Sequence, residues 1–309
     1  MRLRLLTDKL GSLVTWAVAV GILLLTVLVV LALGLRSGGV LEGQGFFKLV
    51  LSDTWRPLAG EFGYRPFILG TVWVTVTGMV LAIPVCFLTA IFLAEYATPR
   101  VRMILRPLID VLSGIPSVVY GLFGVIVIVP LVGDTLAPWA GKNLSQIPWI
   151  SSDGSCTGYT VLAGGIVLAF MVMPFVISVA EEVLRGVPVS VREAALSLGA
   201  TRWETTRYIV LRRAGPGLVA AVVLGFSRAF GETMAVLMVV GNVPISPKSV
   251  FDPAYPLPAL IANNYGEMMS IPRYDSALLF AALLLLLVVF GFNLAAELVL
   301  ILARKRTQS

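Results

Sequence analysis

A chain of 309 residues with 58% hydrophobic and 13% charged side chains is not an ordinary soluble domain, in which about 25% of residues are charged. The net charge of +6 raises nucleic acid as a partner, but at a mean hydropathy of +0.94 the basic residues read better as flanks of membrane spans. Histidine is absent, which removes the commonest transition-metal ligand and the usual near-neutral proton carrier, and the two cysteines, Cys86 and Cys156, have no metal-ligand spacing.

Crossing the hydrocarbon core takes about 20 apolar residues in a helix. The chain is read as one all-α integral membrane domain, 1–309, with six spans at about 13–35, 66–94, 111–132, 159–180, 217–240 and 276–303. The first apolar run is too long for a signal peptide and no convincing small-residue cleavage site follows, so it is read as a retained span. Arg2, Arg4 and Lys9 precede it; Arg100, Arg102 and Arg106 lie between the second and third spans. Six arginines follow the fourth span, and Arg304, Lys305 and Arg306 follow the sixth. The other connections hold far fewer basic residues. The excess sets both termini and the 181–215 loop in the cytoplasm. Pro84, Pro116, Pro130 and Pro174 fall inside spans and are expected to kink them. The third span carries Ser113, Ser117 and Gly121 at four-residue steps, a pattern that permits close helix approach.

The loop at 181–215 is the most regular polar stretch. Ser190-Val-Arg-Glu193 fits a capping box, in which Ser accepts from a backbone N–H and the Glu reaches back. A helix starting there carries Glu193, Ala194, Ala195 and Leu198 and is expected to end at Gly199, which can adopt a left-handed backbone. Thr201-Arg-Trp-Glu204 is a second capping box that starts another helix. The pair is read either as a solvated connector or as a rigid knob that docks on a partner.

The fifth span contains Arg228 near its middle and Glu232 four residues on. A mid-bilayer arginine costs about 2.5–3.5 kcal/mol on insertion scales. The i, i+4 spacing predicts that Glu232 lies on the same face and offsets part of that cost. The pair is read either as packing or as a polar path in which Arg228 contacts an anion, since its planar guanidinium donates paired hydrogen bonds to oxyanions. Ala221, Gly225, Ala229 and Thr233 line a neighbouring face and predict tight packing.

Glu193-Ala194-Ala195, three residues, Gly199, nine residues, Ile209-x-Leu211 resembles the signature of ABC importer permease subunits. That family usually has proline where Arg212 stands. Four further stretches, IFLAEYA (Ile91–Ala97), SGIPSVVYGLFGVIVIVP (Ser113–Pro130), SRAFGETMAVLMVVGN (Ser227–Asn242) and PALIANNYGE (Pro258–Glu267), resemble the PstC permeases of phosphate-specific ABC importers. The resemblance implies a type I importer permease fold. It implies a PstA-like permease as heterodimer partner, two PstB-like ATPase subunits and a PstS-like phosphate-binding protein. It places Arg228, Glu232 and Thr233 on the substrate path and Glu193, Ala194, Ala195 and Gly199 at the ATPase coupling site. ATP and Mg belong to the ATPase: this chain has no GxxxxGK[ST] phosphate loop, and Gly141-Lys142-Asn143 ends wrongly for one. The alternatives are a permease for another oxyanion and an ion-coupled secondary transporter that uses Arg228 and Glu232 as a proton relay. A membrane-embedded enzyme finds no catalytic constellation in the chain.

Overall fold

The computed structural model describes residues 2–151, 157–266, 271 and 273–308; Cys156 and Glu267 lie outside them. Most of the described residues are helical, and six stretches are long and apolar enough to cross a membrane: Lys9–Arg36, Arg65–Tyr96, Ser117–Asn143, Val161–Arg185, Arg202–Phe230 and Tyr274–Leu298.

The elements follow in chain order. Helix α1 (Arg2–Arg36) presents an almost wholly exposed apolar surface from Leu10 to Leu35, as a lipid-facing helix does. Outside it, α2 (Gly38–Gln44), α3 (Phe46–Leu51) and a two-stranded hairpin of β1 (Trp55–Arg56) and β2 (Glu61–Phe62) gather Trp55, Phe62, Tyr64 and Phe67 into an aromatic cluster with Tyr274. The second span is α4 (Arg65–Ile91), which runs into a π-helical turn, Phe92–Tyr96. A separate helix, α5 (Pro99–Ser113), follows, capped by the Thr98 hydroxyl, which accepts from Val101 N–H.

The third span differs from its expected 111–132. It begins at α6 (Ser117–Phe123) and passes through two π-helical segments, Gly124–Ile128 and Leu131–Leu136, into α7 (Ala137–Asn143). The reason is Pro116: its ring pushes Ile115 out of the helical region and stops α5, and its own fixed φ suits the start of a new helix. Ser113 therefore sits on α5, and of the Ser113, Ser117, Gly121 series Gly121 makes the close approach. A Cβ there would sit 2.6 Å from Met238 Sδ.

The fourth span, α8 (Val161–Arg185), is the central helix, with most of its residues buried. It crosses α4 at glycines: a Cβ on Gly165 would lie 2.7 Å from Thr77 Cγ2, and one on Gly78 3.0 Å from the Gly165 carbonyl oxygen. The orphan N–H groups that open α8 are met by a folded-back segment from the connection after the fifth span. Val161 N–H donates to the Asp252 carbonyl (2.9 Å), Leu162 N–H to the Val250 carbonyl (2.7 Å), and the Thr160 hydroxyl accepts from Ala163 N–H. The connection after the fifth span is thus packed against the core rather than loose, with Phe251, Ala254, Tyr255 and Leu257 buried.

After α8 come α9 (Val189–Ser197), α10 (Arg202–Glu204), a π-helical segment Thr205–Val210, and α11 (Leu211–Phe230). The fifth span is not one continuous helix over 217–240. It starts earlier, breaks at Gly231-Glu232-Thr233 and resumes as α12 (Met234–Val239). Helix α13 (Leu257–Asn264) and the sixth span, within α14 (Tyr274–Gln308), complete the chain. Ala221 and Ala229 are buried on α11, and a Cβ on Gly225 would meet Val176 Cγ2 at 2.6 Å, so three members of the small-residue series carry helix packing as expected. Thr233, the fourth, lies in the break.

Candidate functional site

The loop at 181–215 forms two helices meeting at Gly199. Its N–H donates to Leu196 O, and the Ala200 N–H reaches back to Ala195 O, so the orphan carbonyls of α9 are closed by a Schellman turn with Gly199 at φ 87°. The second capping box is present: the Thr201 hydroxyl accepts from Glu204 N–H, and the Glu204 carboxylate accepts from Thr201 N–H at 2.8 Å. Those bonds hold the Glu204 carboxyl below its ordinary range. The first capping box is not formed. Helix α9 starts at Val189 behind Pro188, whose extended backbone (ψ 137°) fixes the start, so Ser190 is already helical and its hydroxyl cannot cap. The result is still a knob. Glu193 and Ala194 are exposed, Ala195 is buried beneath them, and apolar Leu198 (89% exposed), Val189 and Trp203 project around them.

A side of this knob that sequence reasoning treated only as orientation charge is tied into the membrane domain. Arg192 donates to the Glu95 carboxylate at 2.8 Å, to Leu184 O at 2.8 Å and to Val187 O. Arg102 donates to Leu93 O (2.6 Å) and stands 3.9 Å from Glu181, a carboxylate 4% exposed. A lone acid, Glu95, ending an apolar span was the one available signal.

At the break in the fifth span, Glu232 and Arg228 do not pair. No ion pair among the described residues includes either of them. The i, i+4 expectation fails because α11 ends at Phe230, so Glu232 leaves the helical path. Its carboxylate instead accepts from Ala235 N–H (3.1 Å), capping α12, and lines a narrow cavity with Thr71, Thr75, Phe230, Pro256 and Pro258. Thr233 donates to Gly231 O (3.3 Å) within the same break. Arg228 has its guanidinium 5.3 Å over the ring of Phe175, half way along α8, and is exposed on the surface of this chain. On the residue just before it, the Ser227 hydroxyl donates to Asn293 Oδ1 on α14 at 2.6 Å, a polar interhelical bond that the sequence did not single out. Chemically, Arg228 offers a guanidinium with no carboxylate partner among the described residues, level with the middle of α8, and Glu232 and Thr233 offer oxygens at a helix break beside it in sequence.

Residues 86–304 match the family described as binding-protein-dependent transport system inner membrane component. The chain is 38% identical over 289 residues to a phosphate transport system permease protein PstC of Xylella fastidiosa (strain 9a5c), covering 91% of this chain and 87% of that one. It is 35% identical over 295 residues to a probable ABC transporter permease protein YqgH of Bacillus subtilis (strain 168), covering 94% and 90%. A PstC of Mesorhizobium japonicum is 33% identical over 287 residues, covering 92% and 87%. Among solved structures, an inward-facing MetNI methionine ABC transporter is alike with a TM-score of 0.51 at 18% identity, over 83% of this chain and 97% of the other. That likeness is one of fold, the type I ABC importer permease.

Proposed function

Because this chain belongs to the binding-protein-dependent transport system inner membrane components, we propose that it is the PstC-type membrane subunit of an importer that carries inorganic phosphate across the cell membrane under ATP. The observation that carries the substrate path is Arg228: a charged side chain beside the middle of α8, exposed on this chain's surface and without a carboxylate partner among the described residues. Lipid does not tolerate such a group at low cost, so that face is covered by protein or water. A PstA-like permease closing over it encloses a path with an anion-binding guanidinium on its wall. Glu232 and Thr233 border the path at the helix break.

The exposed knob of Glu193, Ala194 and Leu198 docks on one of two PstB-like ATPases, which bind ATP and Mg. Its Schellman turn and capping box keep it stiff enough to transmit a push. Loop charge supports cytoplasmic termini and a cytoplasmic knob. A PstS-like binding protein delivers phosphate outside, and it supplies most of the selectivity, since one arginine among apolar neighbours discriminates poorly among oxyanions.

The test is phosphate uptake in cells that lack their own phosphate permease and express this chain with its three partners. Uptake is expected to vanish when the ATPase is inactivated and to survive collapse of the proton gradient. Uptake that survives ATPase loss, or a complex that carries another oxyanion in place of phosphate, contradicts the proposal.

A further inference from the structure

The knob's exposed face explains what it touches, not how its movement reaches the membrane spans. That task needs a connection that is stiff, dry and directional, and the inward side of α9 has one. Arg192 precedes the exposed Glu193 and points the other way. Its side chain is 16% exposed and that of Glu95 11%, so the pair is largely withdrawn from screening water. The guanidinium uses its whole fork. Nε and Nη2 meet the Glu95 carboxylate at 3.3 and 2.8 Å, Nη2 also reaches Leu184 O at 2.8 Å, and Nη1 reaches Val187 O. Three elements are thereby joined through one planar group: the π-helical end of the second span, the C-terminal end of α8, and α9. Only arginine offers donors in several fixed directions. The joint is also where the two spans most tightly packed through Gly78 and Gly165 emerge from the bundle. Arg102, bonded to Leu93 O and close to Glu181, ties the same two span ends together a few residues further in.

We propose that Glu95 and Arg192 are positioning residues that convert displacement of the coupling knob into movement of the second and fourth spans. The inference rests on the importer reading above. Without the pair, the knob still seats on the ATPase through Glu193, Ala194 and Leu198, and hydrolysis proceeds, but the stroke is lost between α9 and the spans.

The experiment measures phosphate moved per ATP hydrolysed by the complete purified complex in lipid vesicles. It compares wild type, Glu95→Gln, Arg192→Lys and the double variant. Glu95→Gln keeps shape and removes charge, so it carries the test alone if Arg192→Lys fails to assemble. The ratio is expected to fall at least about fivefold in each single variant, with hydrolysis retained. The double variant should be no worse than the poorer single, as for two groups acting through one contact. If wild type moves phosphate and the variants keep its ratio, or lose uptake and hydrolysis in proportion, the pair is merely structural and the inference is overturned. Failure of the wild type to move phosphate instead overturns the substrate assignment.

Discussion

At the scale of single residues, Gly199, Thr201 and Glu232 show what each position is asked to do. Gly199 has open space around its α-carbon, so a methyl group there meets no neighbour; its constraint is the left-handed backbone alone. Gly199→Ala is expected to cost about 1–2 kcal/mol locally. Amides of 194–205 should then exchange with solvent roughly tenfold faster while the spans stay protected, which hydrogen exchange reads directly. Thr201→Ala removes the acceptor for Glu204 N–H and should loosen the start of the second helix by about 1 kcal/mol. The folded-state carboxyl of Glu204 is lowered, so the stability it adds is present at neutral pH and is lost as pH falls into the carboxylate range. Glu232→Gln keeps an acceptor for Ala235 N–H but removes the charge bordering the path. Phosphate uptake should drop with assembly intact, and unchanged uptake argues that the carboxylate is only a helix cap.

At the scale of elements, much was legible and the errors share a cause. Six apolar runs, the knob at 181–215 and its Gly199 turn follow from hydropathy and cap chemistry, which are local. The boundaries that moved are those set by backbone breaks. Pro116 displaced the third span's start to Ser117, and Gly231 let the fifth span break where a continuous period suggested Arg228 and Glu232 share a face. The Ser190 box failed because Pro188 chose the helix start first. The Glu95–Arg192 contact was illegible because its partners are 97 residues apart and neither spacing nor composition brings them together. Close packing of α4 on α8 gives a sharp contrast. Gly165→Ala places a methyl 2.7 Å from Thr77 and 3.1 Å from the Gly78 nitrogen, so it should destabilise by about 1–3 kcal/mol despite better helix propensity. Gly21→Ala, on the lipid-facing α1 with nothing near, should be neutral or slightly stabilising. Thermal unfolding in detergent separates the two.

At the scale of the whole molecule, the chain is one subunit of a transport system. It carries an exposed knob at the turn between α9 and α10, an exposed arginine beside the middle of α8, and a segment after the fifth span folded onto the start of its central helix, yet holds no phosphate loop in its sequence. Each of these features is incomplete alone and becomes intelligible beside the ATPase and substrate-binding partners that an ABC importer permease implies. The most direct measurement is phosphate uptake by the assembled complex with Arg228→Gln in place of wild type, with ATPase activity followed in parallel membranes. Uptake is expected to collapse while assembly and ATP hydrolysis persist, because the anion contact on the path is gone. Uptake at the wild-type rate would contradict the central claim, leaving Arg228 as a residue that packs on Phe175 and the phosphate path elsewhere in the bundle.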